Sequence, residues 1–244
     1  MRVSTADIRE VSEHAQQVQR LFDHKASSWS AKYASGGSLS RRLARFRNAL
    51  RALVPAPAHV LDLGCGTGEL ARELSSASYD VVGIESAPAM LALARGISGT
   101  GSIAWMALNA DWRTLPFADQ QFDAVVASSV LEYVDEPLVV VAECKRVLRT
   151  RGILLCTVPN PRHPIRRVEA AAETLSGGSH SWLGRICPDG VRNYVHYLHL
   201  SKNRFAVGEW RELASRAGLD PVPVDGIVNV ERGPLAMLAF QRKA

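Results

Sequence analysis

The stretch HVLDLGCGTGEL, residues 59–70, limits the possible folds more than any other part of the chain. A short apolar run meets glycines at 64, 66 and 68, and a helical pattern starts directly after them. Strand, tight glycine turn and helix in immediate succession is the opening of a parallel α/β unit. The next segments keep the alternation. DVVGI (80–84), FDAVVAS (122–128) and GILLCTV (152–158) read as buried strands, with helical spacing in GELARELSSA and in EPLVVVAECKRVLRT. The basic end of the latter suits a helix C-terminus. VGEWRELASRAGL and PLAMLAFQRK then read as a last helix, a glycine stop and a closing strand. The succession predicts an open, mainly parallel sheet flanked by helices.

Two segments stand outside that pattern. Residues 1–54 read as helical, with Leu39, Leu43, Phe46, Leu50 and Leu53 on one face and Arg41, Arg42, Arg45 and Arg51 mostly elsewhere. An interfacial membrane helix has this look, but an apolar face needing a partner favours packing on the sheet. Residues 160–204, rich in Pro, Gly, His and aromatics, form the second excursion. The expected organisation is one domain over 1–244: a helical cap (1–55), a core (56–160), a substrate-side insertion (161–205), and a C-terminal helix with closing strands (206–244). With 244 residues and 47% apolar content, one core is affordable.

Charge follows the same division. Residues 1–59 carry 10 Lys/Arg against 4 Asp/Glu, 60–159 carry 7 against 12, and 160–204 carry 7 against 3. The basic excess flanks the glycine-loop region, which admits an anionic small substrate, nucleic acid or a plain solvated surface. No run approaches the ~20 apolar residues of a membrane span, and MRVSTADIRE has no signal-like apolar stretch. Cys65, Cys144, Cys156 and Cys187 form no C-x-x-C pair. That fits a reducing cytoplasm rather than a disulfide framework or zinc knuckle.

The loop's non-glycine residues narrow the ligand. A dinucleotide fingerprint G-x-G-x-x-G would place its third glycine at 69, where this chain has Glu69. Asp62 adds a carboxylate two residues before the first glycine. Two anions repel a pyrophosphate but suit an ammonium and a sulfonium, the charges of S-adenosylmethionine. Glu85, ending the second strand, is placed to accept from ribose hydroxyls. Asp111 is placed to accept from an adenine amine, with Trp112 covering the base.

Together VLDLGCGTGELARELS, VVGIESAPAMLALAR, NADWRTLPFADQQFDAVVASSVLEYVDEP and VLRTRGILLCTVPN resemble successive motifs of the class I S-adenosylmethionine-dependent methyltransferases. More narrowly, they are similar to the small-molecule, quinone-biosynthesis-like branch. The resemblance spans roughly residues 58–160 and implies a Rossmann-like seven-stranded sheet. It implies that Gly64, Gly66 and Gly68 let the backbone approach the methionine and ribose, that Asp62 supports the loop and that Cys65 is a small filler within it. Glu85 would hold the ribose, Asp111 the adenine, and the Ser128 carbonyl the methionine amino group. A helix cap expected at Ala87 passes to Ser86. Tyr133 stands in LEY where the family has histidine, and Glu132 is the one acid there, which argues against a catalytic metal.

The expected function is methyl transfer to a small-molecule acceptor, by in-line displacement on a hydroxyl oxygen. Tyr133, His196 and His199 are the candidate catalytic lining, the two histidines sharing a face if VRNYVHYLHL is helical. Trp29 and Tyr33 either close over the site or pack their helix. The basic flanks suggest an acceptor with a carboxylate, phosphate or carrier group; no nucleic-acid partner is expected. An RNA or protein methyltransferase and a non-catalytic S-adenosylmethionine-binding protein are the competing readings. Oligomeric state leaves no trace in the sequence.

Overall fold

The computed structural model describes residues 11–33, 39–97, 103–167, 169, 197–223 and 233–243. Among them, strands β1 (His59–Leu63), β2 (Asp80–Glu85), β3 (Ala104–Ala107), β4 (Phe122–Ser128), β5 (Leu148–Pro159), β6 (Leu219–Val222) and β7 (Leu235–Arg242) form one seven-stranded sheet. Their spatial order is β3-β2-β1-β4-β5-β7-β6. The five strands from β3 to β5 are parallel, while β7 runs antiparallel to both β5 and β6. The chain leaves β1 toward β2 and returns on the other side as β4. That reversal opens a crevice above the C-terminal ends of β1 and β4, the usual ligand position in such sheets.

The helices are α1 (Glu13–Trp29), α2 (Ser40–Leu53), α3 (Glu69–Ser76), α4 (Pro88–Gly96), α5 (Pro137–Val147) and α6 (Val207–Arg216), with a 3-10 turn at Ser30–Lys32. The apolar face read in α2 is packed against the sheet. Phe46 and Leu50 are fully buried, and Leu43 and Leu53 pack against the same core. The face that a membrane-surface helix would present is therefore already covered by protein.

Helix α1 packs differently. Ala26, with Phe22 and Trp29 beside it, meets Ala87, Ala89 and Met90 in a small apolar cluster apart from the main core. Polar links complete the attachment. Gln19 donates to the Ser86 carbonyl at 2.6 Å, the His14 ring lies 2.9 Å from Asp135, and Ser12 bonds Asp135. The cap is thus laid across the crevice mouth and tied to both of its rims.

β6 gave no apolar run because it is a four-residue, half-exposed edge piece, while β3 is a four-residue edge strand inside the apolar run IAWMAL, residues 103–108. β3 nevertheless brings Trp105 under the glycine loop. A Cβ added at Gly83 would lie 2.7 Å from the Trp105 ring and 3.1 Å from the Cys65 sulfur. Gly83→Ala is therefore expected to cost about 1–2 kcal/mol by overpacking, lowering Tm by about 2–8 °C. An unchanged melting curve would show that Trp105 has room to withdraw.

Candidate functional site

The glycine loop closes against its neighbours through its backbone. Cys65 N–H donates to the Ile84 carbonyl and Gly68 N–H to the Cys65 carbonyl, each at 2.9 Å. Gly64, Gly66 and Gly68 have φ of +68°, +56° and +84°, which L side chains enter only at a cost. Space adds a second reason: a Cβ at Gly64 would sit 2.6 Å from Val130 Cγ2, and one at Gly68 2.5 Å from Trp105. The loop therefore keeps a bare backbone edge toward the crevice.

Three carboxylates gather around that edge. Asp62 is 1% exposed; one face of its carboxylate accepts from the Ala71 N–H in the first turn of α3, while Oδ2 has no partner. Burial, and then the negative charge of Glu85, push Asp62 up to about 8. Glu69 accepts from the Thr67 hydroxyl at 2.6 Å, but its Oε1 is buried without a hydrogen bond, the Arg72 guanidinium being 3.8 Å away. Glu85 is raised by burial against the pull of its backbone donors. It accepts from Gly66 N–H at 2.9 Å, Ser86 N–H at 2.7 Å and Ala87 N–H at 2.8 Å. A carboxylate has about four acceptor positions, so little capacity is left for ribose hydroxyls unless a backbone bond is exchanged.

The Ser86 helix cap expected from sequence is a correction. The N-cap of α4 is Ala87 with no side-chain cap bond, and the Ser86 hydroxyl turns back to Glu85 at 3.4 Å. The orphan N–H of Ala89 is instead taken by Asp23 of α1 at 2.8 Å. A carboxylate arriving from another helix competes better for that donor than a neighbouring hydroxyl already engaged by Glu85.

The crevice above this loop has about 1090 Å³ of empty space, counting its open mouth, which is the upper end of ordinary ligand pockets at about 300–1,000 Å³. Asp62, Gly64, Cys65, Gly66, Glu85, Ser86, Trp112, Ser128 and Tyr133 line it. Gly68 is absent from its wall and serves the loop from beneath. Asp111 lies in an adjoining recess that shares Ser86, Trp112 and Tyr133 with the crevice. Its carboxylate is held by Arg113 at 2.7 and 2.9 Å. Cys65 is buried, and burial pushes its thiol well up.

The far wall is aromatic and cationic. Phe22 packs edge-on against Trp29 and Tyr133, with centroids 5.6 and 5.3 Å apart, and Tyr133 tilts against Tyr197 at 5.9 Å. Trp29 and Tyr33, whose role the sequence left open, both line the crevice. Lys32 lies 3.9 Å over the Trp29 ring and Lys25 4.1 Å over that of Tyr197. Arg42 reaches from α2 toward the hydroxyls of Ser128 and Ser129 at 3.5 and 3.3 Å. Ser129 itself holds a left-handed φ of +61°, with its N–H on the Thr157 hydroxyl at 3.1 Å. Among the described residues Lys25, Lys32 and Arg42 have no carboxylate within ion-pair distance. Burial and the charge of Lys32 bring Lys25 down to about 8. Burial, then Arg42, lowers Lys32 as well.

His199 is exposed and forms no part of the crevice wall, while His196 lies outside the described residues. Sequence reasoning passed over Arg42, Lys32, Phe22 and Tyr197. Phe22 and Trp29, seven residues apart and so on one helical face, carried a readable signal. Arg42 did not, since its spacing within SRRLARFR matches the solvated arginines around it.

A methyltransferase-domain family profile matches residues 61–156. The ubiquinone biosynthesis O-methyltransferase of Cereibacter sphaeroides is 28% identical over 169 residues, covering 69% of this chain and 63% of its own length. The chain thus spans under two thirds of the curated relative it matches. Among solved structures, the magnesium protoporphyrin IX methyltransferase of Synechocystis, with bound SAH, superposes with a TM-score of 0.66 at 17% identity, over 93% of this chain and 99% of its own. The cyclase SpnF does so with 0.63 at 19%, over 94% and 97%. No helix among the described residues is long and apolar enough to cross a membrane. Residues 61–156 match the methyltransferase-domain profile, and the described residues have the seven-stranded α/β fold of these solved methyltransferases.

Proposed function

We propose that this chain transfers a methyl group from S-adenosylmethionine to a hydroxyl oxygen of a small, negatively charged acceptor in the cytoplasm. The observation that carries the donor is the acidic trio Asp62, Glu69 and Glu85, two of them with buried unpartnered oxygens. Phosphates would be repelled there, whereas a ligand bearing an ammonium and a sulfonium supplies the missing positive charge. Asp62 Oδ2 and the Ser128 carbonyl receive the ammonium, Glu85 takes a ribose hydroxyl in exchange for one of its backbone donors, and Trp112 beside Asp111 covers the adenine. The bare edge of Gly64 and Gly66 admits the methionine part, with Cys65 and Ser86 filling the wall.

The acceptor half is the aromatic wall with Lys32 and Arg42. Among the described residues neither Lys32 nor Arg42 has a carboxylate within ion-pair distance, which suits a carboxylate or phosphate on the acceptor, and the rings suit a flat partner. Because the cations point into a crevice, a small anion fits them better than a polynucleotide tracked along a surface. The sulfonium supplies a good leaving group, so the protein's task is alignment of oxygen, methyl carbon and sulfur. Tyr133 stands where it can hold the acceptor hydroxyl. The exposed His199 does not.

Calorimetry with S-adenosylmethionine, its demethylated product, NAD and a short RNA tests the donor and the nucleic-acid alternative together. The first two are expected to bind and the others not at moderate salt. Tighter binding of NAD would sink the donor assignment, and steeply salt-dependent RNA binding the small-molecule one.

A further inference from the structure

Ser128 and Ser129 are consecutive, yet both of their hydroxyls reach one nitrogen. Arg42 Nη1, from α2, lies 3.5 Å from Ser128 Oγ and 3.3 Å from Ser129 Oγ. Consecutive side chains of a strand point to opposite faces, so this convergence needs a break in the strand. The break is the left-handed backbone of Ser129, φ +61°, at the first residue after β4. Its N–H is fixed on the hydroxyl of Thr157 in β5 at 3.1 Å. A left-handed serine is strained, and such outliers gather where the strain has a use.

What the turn serves is a guanidinium with weak partners. N–H···O bonds normally measure about 2.7–3.2 Å, and both contacts to Arg42 are longer. Its third partner, the Tyr33 hydroxyl, is also neutral. The arginines that brace this fold are held differently. Arg113 meets Asp111 at 2.7 and 2.9 Å, Arg146 meets Glu143 at 2.7 and 2.9 Å, and Arg166 meets Glu169 at 2.8 Å. Among the described residues no carboxylate lies within ion-pair distance of Arg42. Glu132 stands on that side, but behind Ser129, whose hydroxyl bonds it, and outside the crevice wall. Nor does Arg42 strengthen its own helix. It occupies the first turn of α2, where the peptide dipoles disfavour a cation and no acidic residue offsets it.

A guanidinium has five N–H donors in a planar fork, so three hydroxyls leave room for a two-oxygen partner. Lys32 lines the same crevice and is lowered by burial and then by the Arg42 charge. An anion at Arg42 relieves that repulsion as well. The opposite wall limits how much charge the anion can bring. Asp62, Glu69 and Glu85 line the crevice too, and a phosphate with roughly 1.5–2 negative charges meets more repulsion there than a carboxylate with one. The rings of Phe22, Trp29, Tyr133 and Tyr197 on the wall favour an aromatic body.

We propose that Arg42 selects the acceptor by binding the carboxylate of an aromatic hydroxy acid, an assignment that rests on the methyl-transfer reading above. Ser128 and Ser129 hold the guanidinium in place, and the carboxylate takes the donors that the hydroxyls leave open. The carboxylate keeps its charge throughout the reaction, so Arg42 binds ground state and transition state alike. Its contribution therefore falls on KM and on the choice of acceptor rather than on kcat.

The test is calorimetric binding of three aromatic hydroxy acids and their methyl esters to protein saturated with S-adenosylhomocysteine. The acids are 4-hydroxybenzoate, 3,4-dihydroxybenzoate and 3,4-dihydroxycinnamate, and the proteins are wild type, Arg42→Lys and Arg42→Met. Wild type is expected to bind at least one acid about 30-fold more tightly than its ester, the effect of a desolvated charge pair. Arg42→Met should bring that ratio close to one, and Arg42→Lys, a charge without the planar fork, should keep part of it. In turnover the Met variant should raise KM for the acid about 30-fold and change kcat by no more than about threefold. An arginine that only braces the crevice would weaken acid and ester alike and leave their ratio where it was. S-adenosylmethionine, a cation, should bind the Met variant no more weakly than wild type, which shows an intact fold. Arg42→Lys covers the case in which Arg42→Met fails to fold. No acid bound more tightly than its ester by wild type, or a ratio unmoved in the folded variants, overturns the role of Arg42 and leaves the methyl-transfer reading standing. A wild type that binds S-adenosylmethionine and prefers the acids, yet methylates no hydroxyl compound, overturns the methyl-transfer reading and with it the acceptor assignment.

Discussion

Asp62→Asn is expected to weaken S-adenosylmethionine binding by about two orders of magnitude near pH 8 while making the ligand-free protein more stable. The two effects have one origin. Asp62 is buried with an unpartnered oxygen, and its carboxyl is raised by burial and by the nearby Glu85 charge to about 8. A carboxyl whose folded value lies above its unfolded value of 3.8 contributes stability that is fully present below about pH 4. That contribution is lost as pH rises through about 8. Asparagine keeps the shape, and its amide can still accept from the Ala71 N–H, but it has no charge to desolvate. The Tm gain of the variant should therefore be small near pH 5 and grow as pH approaches 8. Binding moves the other way. Removing one partner of a buried, desolvated ion pair typically costs about 3–5 kcal/mol, and about 3 kcal/mol is roughly a hundredfold in Kd. Thermal melts and titration calorimetry on the same samples check both signs. A variant that loses affinity and stability together would mean that Asp62 is a loop support and no ligand contact.

Most of the sheet could be read from the chain because buried parallel strands are written as uninterrupted apolar runs. HVLDL and FDAVVAS coincide with β1 and β4. β6 escaped because a short, half-exposed edge strand carries neither an apolar run nor a clear alternation, whereas β3 sits in the short apolar run IAWMAL, which periodicity alone does not separate from a buried helix segment. The acidic cluster proposed for the donor could be read for a related reason: the loop, Asp62, Glu69 and Glu85 are local in sequence, and β1 and β2 bring them together by adjacency. The crevice wall proposed for the acceptor is assembled from α1, α2, the turn after β4 and the segment before α6, which are distant in sequence. No spacing rule joins Phe22, Arg42, Tyr133 and Tyr197, so their convergence appears only in three dimensions. His199 illustrates the converse, being a residue of suitable chemistry that the fold turns outward. The Ser86 cap failed for the same reason, because a residue 66 positions away supplies the carboxylate.

The affinity for S-adenosylmethionine is expected to rise about tenfold per pH unit between about pH 6 and 7.5, then level off and fall above about pH 8. Below its raised value of about 8, Asp62 holds a proton in the ligand-free protein, and a cationic ligand binds the carboxylate form. Each binding event therefore releases up to one proton, which gives a slope approaching one in log K against pH. Above about pH 8 the ligand's own α-amino group, with an ordinary value of about 7.7–8.0, loses its proton and the attraction declines. Calorimetry at pH 6.5 in two buffers of different ionisation enthalpy counts the released proton directly. Asp62→Asn should flatten the rising limb, since no carboxyl remains there to be emptied. The sign of the slope also separates the two ligand classes that a glycine loop admits. A phosphate-bearing dinucleotide would prefer the trio protonated, so its affinity would climb as pH falls. A flat or inverted profile for S-adenosylmethionine would therefore count against Asp62 as the ammonium's partner, however tightly the ligand bound.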